Sequence, residues 1–314
     1  MEVIHGTYSI QPRHKGCVLT VGNFDGVHHG HRKLLDHLFA KAQELDVPSM
    51  LLTFEPQPRE FFAGTKVPAR LTRFREKITL LRQTALDRVL CLPFNDRTRN
   101  ISAEWIVDVL FHDLLGIKYI VVGDDFHFGR DQLGDYEMLQ AAGDRHGFGV
   151  SHVGTLEFDH QRISSSRIRK VLGEGNFELA EKLLGRPYFI MGRVVYGRQL
   201  GRQLGSPTAN IRLQRYRAAL EGVYAVRVRV RGSEQQYTGI ANIGIRPTVD
   251  GKEPLLEVHL FDFEGNLYGQ LLTVQFVKKI RDERTFDGLE SLKAQIHADI
   301  EEVREMFAEA EDVR

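Results

Sequence analysis

Two histidines three residues apart, His28 and His31, stand in a setting that suits phosphate chemistry. They lie in V-L-T-V-G-N-F-D-G-V-H-H-G-H-R-K-L-L-D-H-L, residues 18–38. Val18, Leu19 and Val21 predict a short buried strand, and Leu34, Leu35 and Leu38 have helical spacing. Gly22, Gly26 and Gly30 lie between, so the connection is tight and admits close approach to the backbone. A strand that turns through glycines into a helix gathers free N–H groups and the positive end of the helix dipole around one point. That point suits a phosphate, and two imidazole donors beside it can hold a triphosphate while its charge shifts. The stretch contains neither G-x-x-x-x-G-K-[ST] nor G-x-G-x-x-G. Taken alone, the pair is equally readable as a metal pair or as a helix start without chemistry.

A second cluster is I-S-S-S-R-I-R-K-V-L, residues 163–172. Hydroxyls before an amphipathic turn can donate hydrogen bonds, and Arg167 and Arg169 bring cations for phosphate oxygens. By itself this is also an ordinary serine cap with solvated arginines. Phe54, Phe126 and Phe128 offer flat apolar contact to an aromatic ring, or plain core packing.

The elements that must position these groups follow from periodicity. Strands are expected at 49–54, 87–92, 117–122 and 148–153. Helices are expected at 70–84, 136–146 and 176–184, and after a Ser102 N-cap with Trp105, Ile106, Val109 and Leu110 facing inward. Pro56 and Pro58 should hold the chain extended after the second of the strands. Alternating strands and helices predict a doubly wound parallel sheet, whose ligands sit beyond the carboxyl ends of the strands. G-N-F-D-G, T-F-E-P-Q-P and G-D-D-F-H-F-G should therefore rim one pocket. After Gly185-Arg186-Pro187 the texture becomes period-two strands separated by Gly, Asn and Asp turns, which predicts a small closed β-barrel. One amphipathic helix over 289–308 closes the chain, with Leu289, Leu292, Ile296, Ile300, Val303 and Phe307 on its apolar side. Two domains are expected, 1–185 and 186–314, each large enough for its own core.

Composition narrows the classes. Lys plus Arg and Asp plus Glu both number 42, so the formal net charge is zero over 314 residues, which argues against nucleic acid as the main partner. Cys17 and Cys91 are the only cysteines and form no C-x-x-C, so neither a zinc ribbon nor a disulfide framework is indicated. The N-terminal residues lack an apolar signal core, and no run of roughly eighteen apolar residues occurs. A cytoplasmic protein without a membrane partner is expected.

The string G-N-F-D-G-V-H-H-G-H resembles the H-x-G-H signature of the nucleotidyltransferase superfamily, and in its fuller form that of FAD synthetases. I-S-S-S-R-I-R resembles the I-S-S-T-x-I-R element that accompanies it, with Ser166 in place of Thr. In the second half, G-R-Q-L-G-S-P-T-A-N resembles the G-x-x-L-G-F-P-T-A-N motif of riboflavin kinases, with Ser206 in place of Phe. N-I-G-I-R-P-T-V, L-E-V-H-L-F-D-F and I-R-D-E-R-T-F-D-G-L-E-S-L resemble further elements of that family. Essentially the whole chain thus resembles the prokaryotic bifunctional riboflavin kinase and FAD synthetase family, in that family's domain order.

The resemblance implies a Rossmann-like nucleotidyltransferase domain followed by a riboflavin kinase-like barrel with a terminal helix. It implies phosphorylation of riboflavin to FMN, then adenylylation of FMN to FAD, with ATP and Mg²⁺ required and flavins as substrates and products. For adenylyl transfer it points to His28 and His31, with Gly22, Asn23, Asp25, Gly26, Ser165, Ser166 and Arg169, holding ATP. Phe54, Pro56, Pro58, Asp125 and Phe128 would lie near the flavin, and His127 stands where Arg is common. For the kinase it points to Gly201, Leu204, Gly205, Pro207, Thr208 and Asn210 for ATP, Thr208 and Asn210 being hard oxygen ligands suited to Mg²⁺. Glu257 would be the catalytic base, and with Arg281 it would contact the flavin; alone, Glu257 reads as a surface strand carboxylate. Small-molecule substrates are the expected partners, with homo-oligomerisation left open. Two other readings stand beside this one: another H-x-G-H nucleotidyltransferase with a β-barrel regulatory domain, and a nonenzymatic flavin or RNA binder.

Overall fold

A computed structural model describes residues 1–63, 67–197, 206–248 and 251–312, and side chains for all of these except 245–248, 251–253 and 311–312. Packing divides the chain into two units, Met1–Val67 with Phe74–Ser165, and Pro68–Arg73 with Ser166–Arg314.

The first unit is built on a six-stranded parallel sheet. Its strands are β1 (Glu2–His5), β2 (Val18–Val21), β3 (Ser49–Glu55), β4 (Arg88–Pro93), β5 (Tyr119–Gly123) and β6 (Gly149–Val153), in the order β1-β4-β3-β2-β5-β6. β2, β3 and β5 are almost wholly buried, as expected of strands covered on both faces. Strand order reverses between β2 and β5, the position where such sheets open a crevice. Helices α1 (His29–Glu44), α2 (Pro58–Ala63) and α3 (Phe74–Leu81) follow in turn. Next comes α4, a single turn Ala103–Trp105 that continues as a π-helix over Ile106–Leu114, and then α5 (Tyr136–His146). A two-residue hairpin, β7 (Glu157–Phe158) with β8 (Gln161–Arg162), precedes α6 (Ser165–Gly173).

Several expectations need correction. Pro58 does not extend the chain but opens α2, where its missing N–H is no loss. The helix expected at 70–84 begins only at Phe74, because 68–73 packs in the other unit. Ser102 does cap α4, accepting the Trp105 N–H at 3.2 Å, yet Trp105 itself is 38% exposed. The change to π-helical turns after Trp105 rotates later side chains relative to an ideal α-helical stripe. β1, which carries little periodicity in four residues, was not anticipated.

The second unit holds α6, α7 (Phe177–Leu184) and a closed, wholly antiparallel barrel. Its strands are β9 (Phe189–Val195), β10 (Ala209–Arg212), β11 (Gly222–Val230), β12 (Gln236–Thr248), β13 (Gly251–Leu260) and β14 (Leu271–Arg281), ordered β10-β13-β12-β11-β14-β9. Helix α8 (Leu289–Asp312) closes the chain. Alternate residues of β11 serve two cores. Val223 and Ala225 pack with Val303 and Phe307 of α8, whereas Tyr224 meets Phe177 of α7 and Phe276 of β14 edge-on. Leu289, expected on the apolar side of α8, is 63% exposed because it sits at the helix start ahead of that core. Side chains also stitch 68–73 into this unit: Arg169 donates to the Ala69 carbonyl, Arg215 to that of Arg70 at 2.9 Å, and the Tyr188 hydroxyl to that of Leu71 at 3.2 Å. Among the described residues, no helix is long and apolar enough to cross a membrane.

Candidate active sites

In the first unit the candidate site is the connection from β2 to α1. Its backbone is left-handed at Phe24 (φ 47°), Gly26 (φ 90°) and Val27 (φ 43°). For a non-glycine residue that conformation costs on the order of 1–3 kcal/mol and persists where surroundings impose it. The turn delivers His28 as the N-cap of α1. His28 Nδ1 accepts the His31 backbone N–H, and His31 Nδ1 accepts the His28 backbone N–H, both at 3.3 Å. A ring nitrogen that accepts an N–H carries no proton, so in both neutral rings the proton sits at Nε2. The reciprocal cap thus satisfies two helix-start donors and orients two Nε2–H donors away from the backbone.

The ring planes are held by stacking. His28 and His31 centroids lie 3.7 Å apart, and Phe24 stacks on His31 at 4.6 Å. His28 and Asp25 are 5% and 3% exposed. Ser165 Oγ donates to the Asp25 carbonyl at 2.8 Å, which ties the serine element to this loop. A side chain at Gly30 would press on the His28 ring and the Ile163 carbonyl. Phe24 escaped sequence reasoning because no periodic pattern marks a buried ring inside a glycine turn.

The neighbouring strand ends carry the residues expected near a flavin. Phe54 is half-buried at the end of β3 and meets Phe94 edge-on at 5.7 Å. Pro56 is exposed and Pro58 half-buried. Asp125 is exposed and pairs with Arg162 at 2.8 Å. Phe128 is buried in the sheet core and stacks on the more exposed Phe126 at 5.5 Å. His127 is exposed. Burial works to raise the Asp124 pKa, but the Thr155 hydroxyl and backbone N–H, at 2.9 and 3.0 Å, hold it below the usual carboxylate value. Gly22, Asn23, Asp25, Gly26, His28, His31 and Ser165 are thus brought together in one unit, whereas Ser166 and Arg169 pack with the other.

In the second unit a cavity of about 340 Å³ is lined by barrel residues including Thr208, Asn242 and Glu257, by Arg281, and by Asp299 of α8. Register places Asn210, Glu257 and Asn242 side by side across β10, β13 and β12. Directly opposed residues share a face, so Glu257 is flanked by two amides. The expected flavin contact Arg281 grips Asp299, Nε and the terminal nitrogen lying 2.9 and 2.8 Å from Oδ2. Gln295 also donates to Asp299, at 2.6 Å. This pair, with Asp299 buried and Arg281 half-buried, joins the end of β14 to α8. His259 Nδ1 lies 2.9 Å from the Pro207 carbonyl, which can only accept, so that nitrogen carries the proton. Ser206 is buried and lines the cavity. Gly201, Leu204 and Gly205 lie outside the described residues.

The donor set around Asn210 fits a hard cation. Asn210 is 6% exposed, and its Nδ2 donates to the Thr208 carbonyl at 3.3 Å, which turns Oδ1 away from that strand. Any side chain at Gly197 would collide with the Asn210 amide, so the space beside it is kept clear. Thr208 hydroxyl and Asn210 carbonyl are neutral hard oxygens of the kind Mg²⁺ accepts alongside phosphates. Among the described residues there is no group of three or more His, Cys, Asp or Glu placed to hold a metal ion.

Comparison with known proteins adds an independent line. A family model described as FAD synthetase matches residues 10–167, and one described as riboflavin kinase matches residues 184–307. The chain is 50% identical over 310 residues to a bifunctional riboflavin kinase/FMN adenylyltransferase of Pseudomonas fluorescens, covering 98% of each. It is 46% identical over 308 residues to the protein so described from Escherichia coli (strain K12), again covering 98% of each. A solved structure described as a macrolide-efflux protein from Streptococcus pneumoniae is 31% identical, with a TM-score of 0.78 over 96% of this chain and 98% of that one.

Proposed function

The chain belongs to the bifunctional riboflavin kinase/FMN adenylyltransferase family, and we propose that residues 186–314 carry the kinase and residues 1–185 the adenylyltransferase. The protein uses ATP to phosphorylate riboflavin to FMN and then to adenylylate FMN to FAD, releasing pyrophosphate. The partners are small-molecule substrates, and the cytoplasm, where ATP is made available, is the setting.

Adenylyl transfer needs no protein nucleophile, since the FMN phosphate attacks the α-phosphorus itself. The enzyme aligns the groups and stabilises growing negative charge. His28 and His31 supply the two Nε2–H donors, aimed before substrate arrives, and that preset orientation is the observation that carries this assignment. Gly22, Asn23, Asp25 and Gly26 leave room for nucleotide phosphates, and Ser165, Ser166 and Arg169 add donors. Phe54, Pro56, Pro58, Asp125 and Phe128 form the flavin side.

In the kinase, Glu257 takes the proton from the 5′-hydroxyl of riboflavin as that oxygen attacks the γ-phosphorus of ATP. Thr208 and Asn210 would hold Mg²⁺, the usual metal of these enzymes, which offsets phosphate charge. Pro207 belongs to the ATP side, to which the motif resemblance also assigns Gly201, Leu204 and Gly205, and Arg281 shapes the flavin side through its grip on Asp299. The test is incubation of the purified protein with riboflavin, ATP and Mg²⁺ and separation of the flavins. FMN should appear first and FAD later; absence of both would reject the assignment.

A further inference from the structure

Among the described residues, Asn242 Oδ1 is a buried acceptor with no hydrogen-bond partner, although its side chain lines the cavity that holds Glu257. The amide is not free to turn over. Its Nδ2 donates to Glu283 Oε1 at 3.2 Å, and because a carboxylate only accepts, the oxygen must face the other way. Asn242 stands directly opposite Glu257 in the β12–β13 register, where Cβ atoms are roughly 5 Å apart on one face. On its other side Asn242 opposes Val223, which packs with Val303 and Phe307. The polar row Asn210, Glu257, Asn242 therefore ends at Asn242 and gives way to apolar surface. A buried carbonyl oxygen without a donor is unfavourable unless something brings one.

We infer that Asn242 Oδ1 accepts a hydrogen bond from an inner hydroxyl of the ribityl chain of riboflavin, so that Asn242 sets specificity for the polyol. The inference rests on Glu257 being the base. The terminal hydroxyl must reach Glu257 to lose its proton, and the chain behind it carries a hydroxyl on each inner carbon but the one next to the ring. Those hydroxyls fall within the cross-strand spacing between Glu257 and Asn242, and one of them can donate to the unfilled acceptor, Asn242 Oδ1. The isoalloxazine ring, at the far end of the chain, suits the apolar surface beyond, where Ile240, Leu292 and Ile296 line the same cavity. A site built to pair a hydroxyl rejects an analogue lacking it more strongly than an apolar pocket rejects a change of size.

The experiment compares riboflavin with a flavin bearing a 5-hydroxypentyl chain, which keeps the ring and the terminal hydroxyl but lacks the inner ones. With the full-length protein, kcat/KM for phosphorylation should be at least about tenfold lower for the analogue. In Asn242→Ala the value for riboflavin should drop by about tenfold or more while that for the analogue changes less than about threefold, so the preference collapses. Circular dichroism and FAD formation from supplied FMN report whether the variant is folded, and Asn242→Ser gives a second variant with a smaller change in packing. Equal use of both flavins by the unmodified protein overturns the inference without recourse to any variant. So does a folded Asn242 variant that keeps the original preference. Failure to phosphorylate either flavin would instead remove the kinase assignment on which the inference stands.

Discussion

The two edges of each histidine ring have separate work. At His28, Nδ1 closes the first turn of α1, while Nε2 carries the proton a phosphate oxygen would meet. Asn reproduces an acceptor near Nδ1 but has nothing at Nε2. His28→Asn should therefore leave α1 folded by circular dichroism and lower FAD formation from FMN roughly a hundredfold. FMN formation from riboflavin should stay within about twofold; an equal loss of both products would show that the two reactions share one site. At Glu257 the change to Gln keeps shape but cannot take a proton. Glu257→Gln should stop FMN formation and preserve FAD formation from added FMN, and near-normal FMN production would remove Glu257 from the role of base. The histidine pair was legible in the sequence because the strand before it, the glycines around it and the helical spacing after it place both rings at one helix start. The Phe24 stack, the Asn242 acceptor and the Arg281–Asp299 pair were not, since each depends on residues joined through the fold. Arg281 and Asp299, for instance, are 18 residues apart.

At the scale of elements, period and caps read well where one face decides burial. Helix α5 runs from Tyr136 to His146 as its spacing predicts, with Asp135 accepting the Met138 N–H at 2.8 Å and Gly147 left-handed at its end. Reading failed where geometry departs from an ideal repeat, as at the π-helical turns after Trp105, or where a Pro has two meanings, as at Pro58. The barrel strands read as half-buried, yet β11 is buried on both faces: Val223 and Ala225 pack with α8, and Tyr224 on the alternate face meets Phe177 and Phe276. Tyr224 shows the result. Burial pushes its pKa up to about 12, against the Glu221 backbone N–H, which donates to the phenol oxygen at 3.0 Å. Between the unfolded value, about 10, and the folded one, the native state holds a proton the unfolded chain releases. Stability from this group is thus complete below pH of about 10 and declines as pH rises toward 12. Urea titrations of the protein and of Tyr224→Phe across that range should show the variant losing less stability with pH; parallel losses would exclude Tyr224 as the source.

Over the whole molecule, a change of texture near Gly185 marks where strand–helix alternation stops, but packing does not divide there. α6 and α7 pack with the barrel, and Phe177 lies edge-on to Tyr224 at 5.8 Å. Residues 186–314 still include every proposed kinase residue, so that fragment should make FMN and no FAD. A fragment starting at Ser166 regains the Phe177 contact, worth about 1.5–3 kcal/mol for a buried aromatic, and should melt several degrees higher. Equal melting temperatures would show that α7 adds nothing to the barrel. Composition was silent on this division because both halves are ordinary globular sequence.

The six residues 68–73 have a consequence in time. They are synthesised with the first unit, but the side chains that meet their carbonyls arrive much later: Tyr188 follows Leu71 by 117 residues and Arg215 follows Arg70 by 145. At a ribosomal pace of about 5–20 residues per second, that interval is on the order of ten seconds. The sheet of the first unit can form while this segment waits in water, and its last hydrogen bonds close only when the barrel strands have emerged. The second unit thus contains, in 68–73, a segment synthesised well before the side chains that fix it.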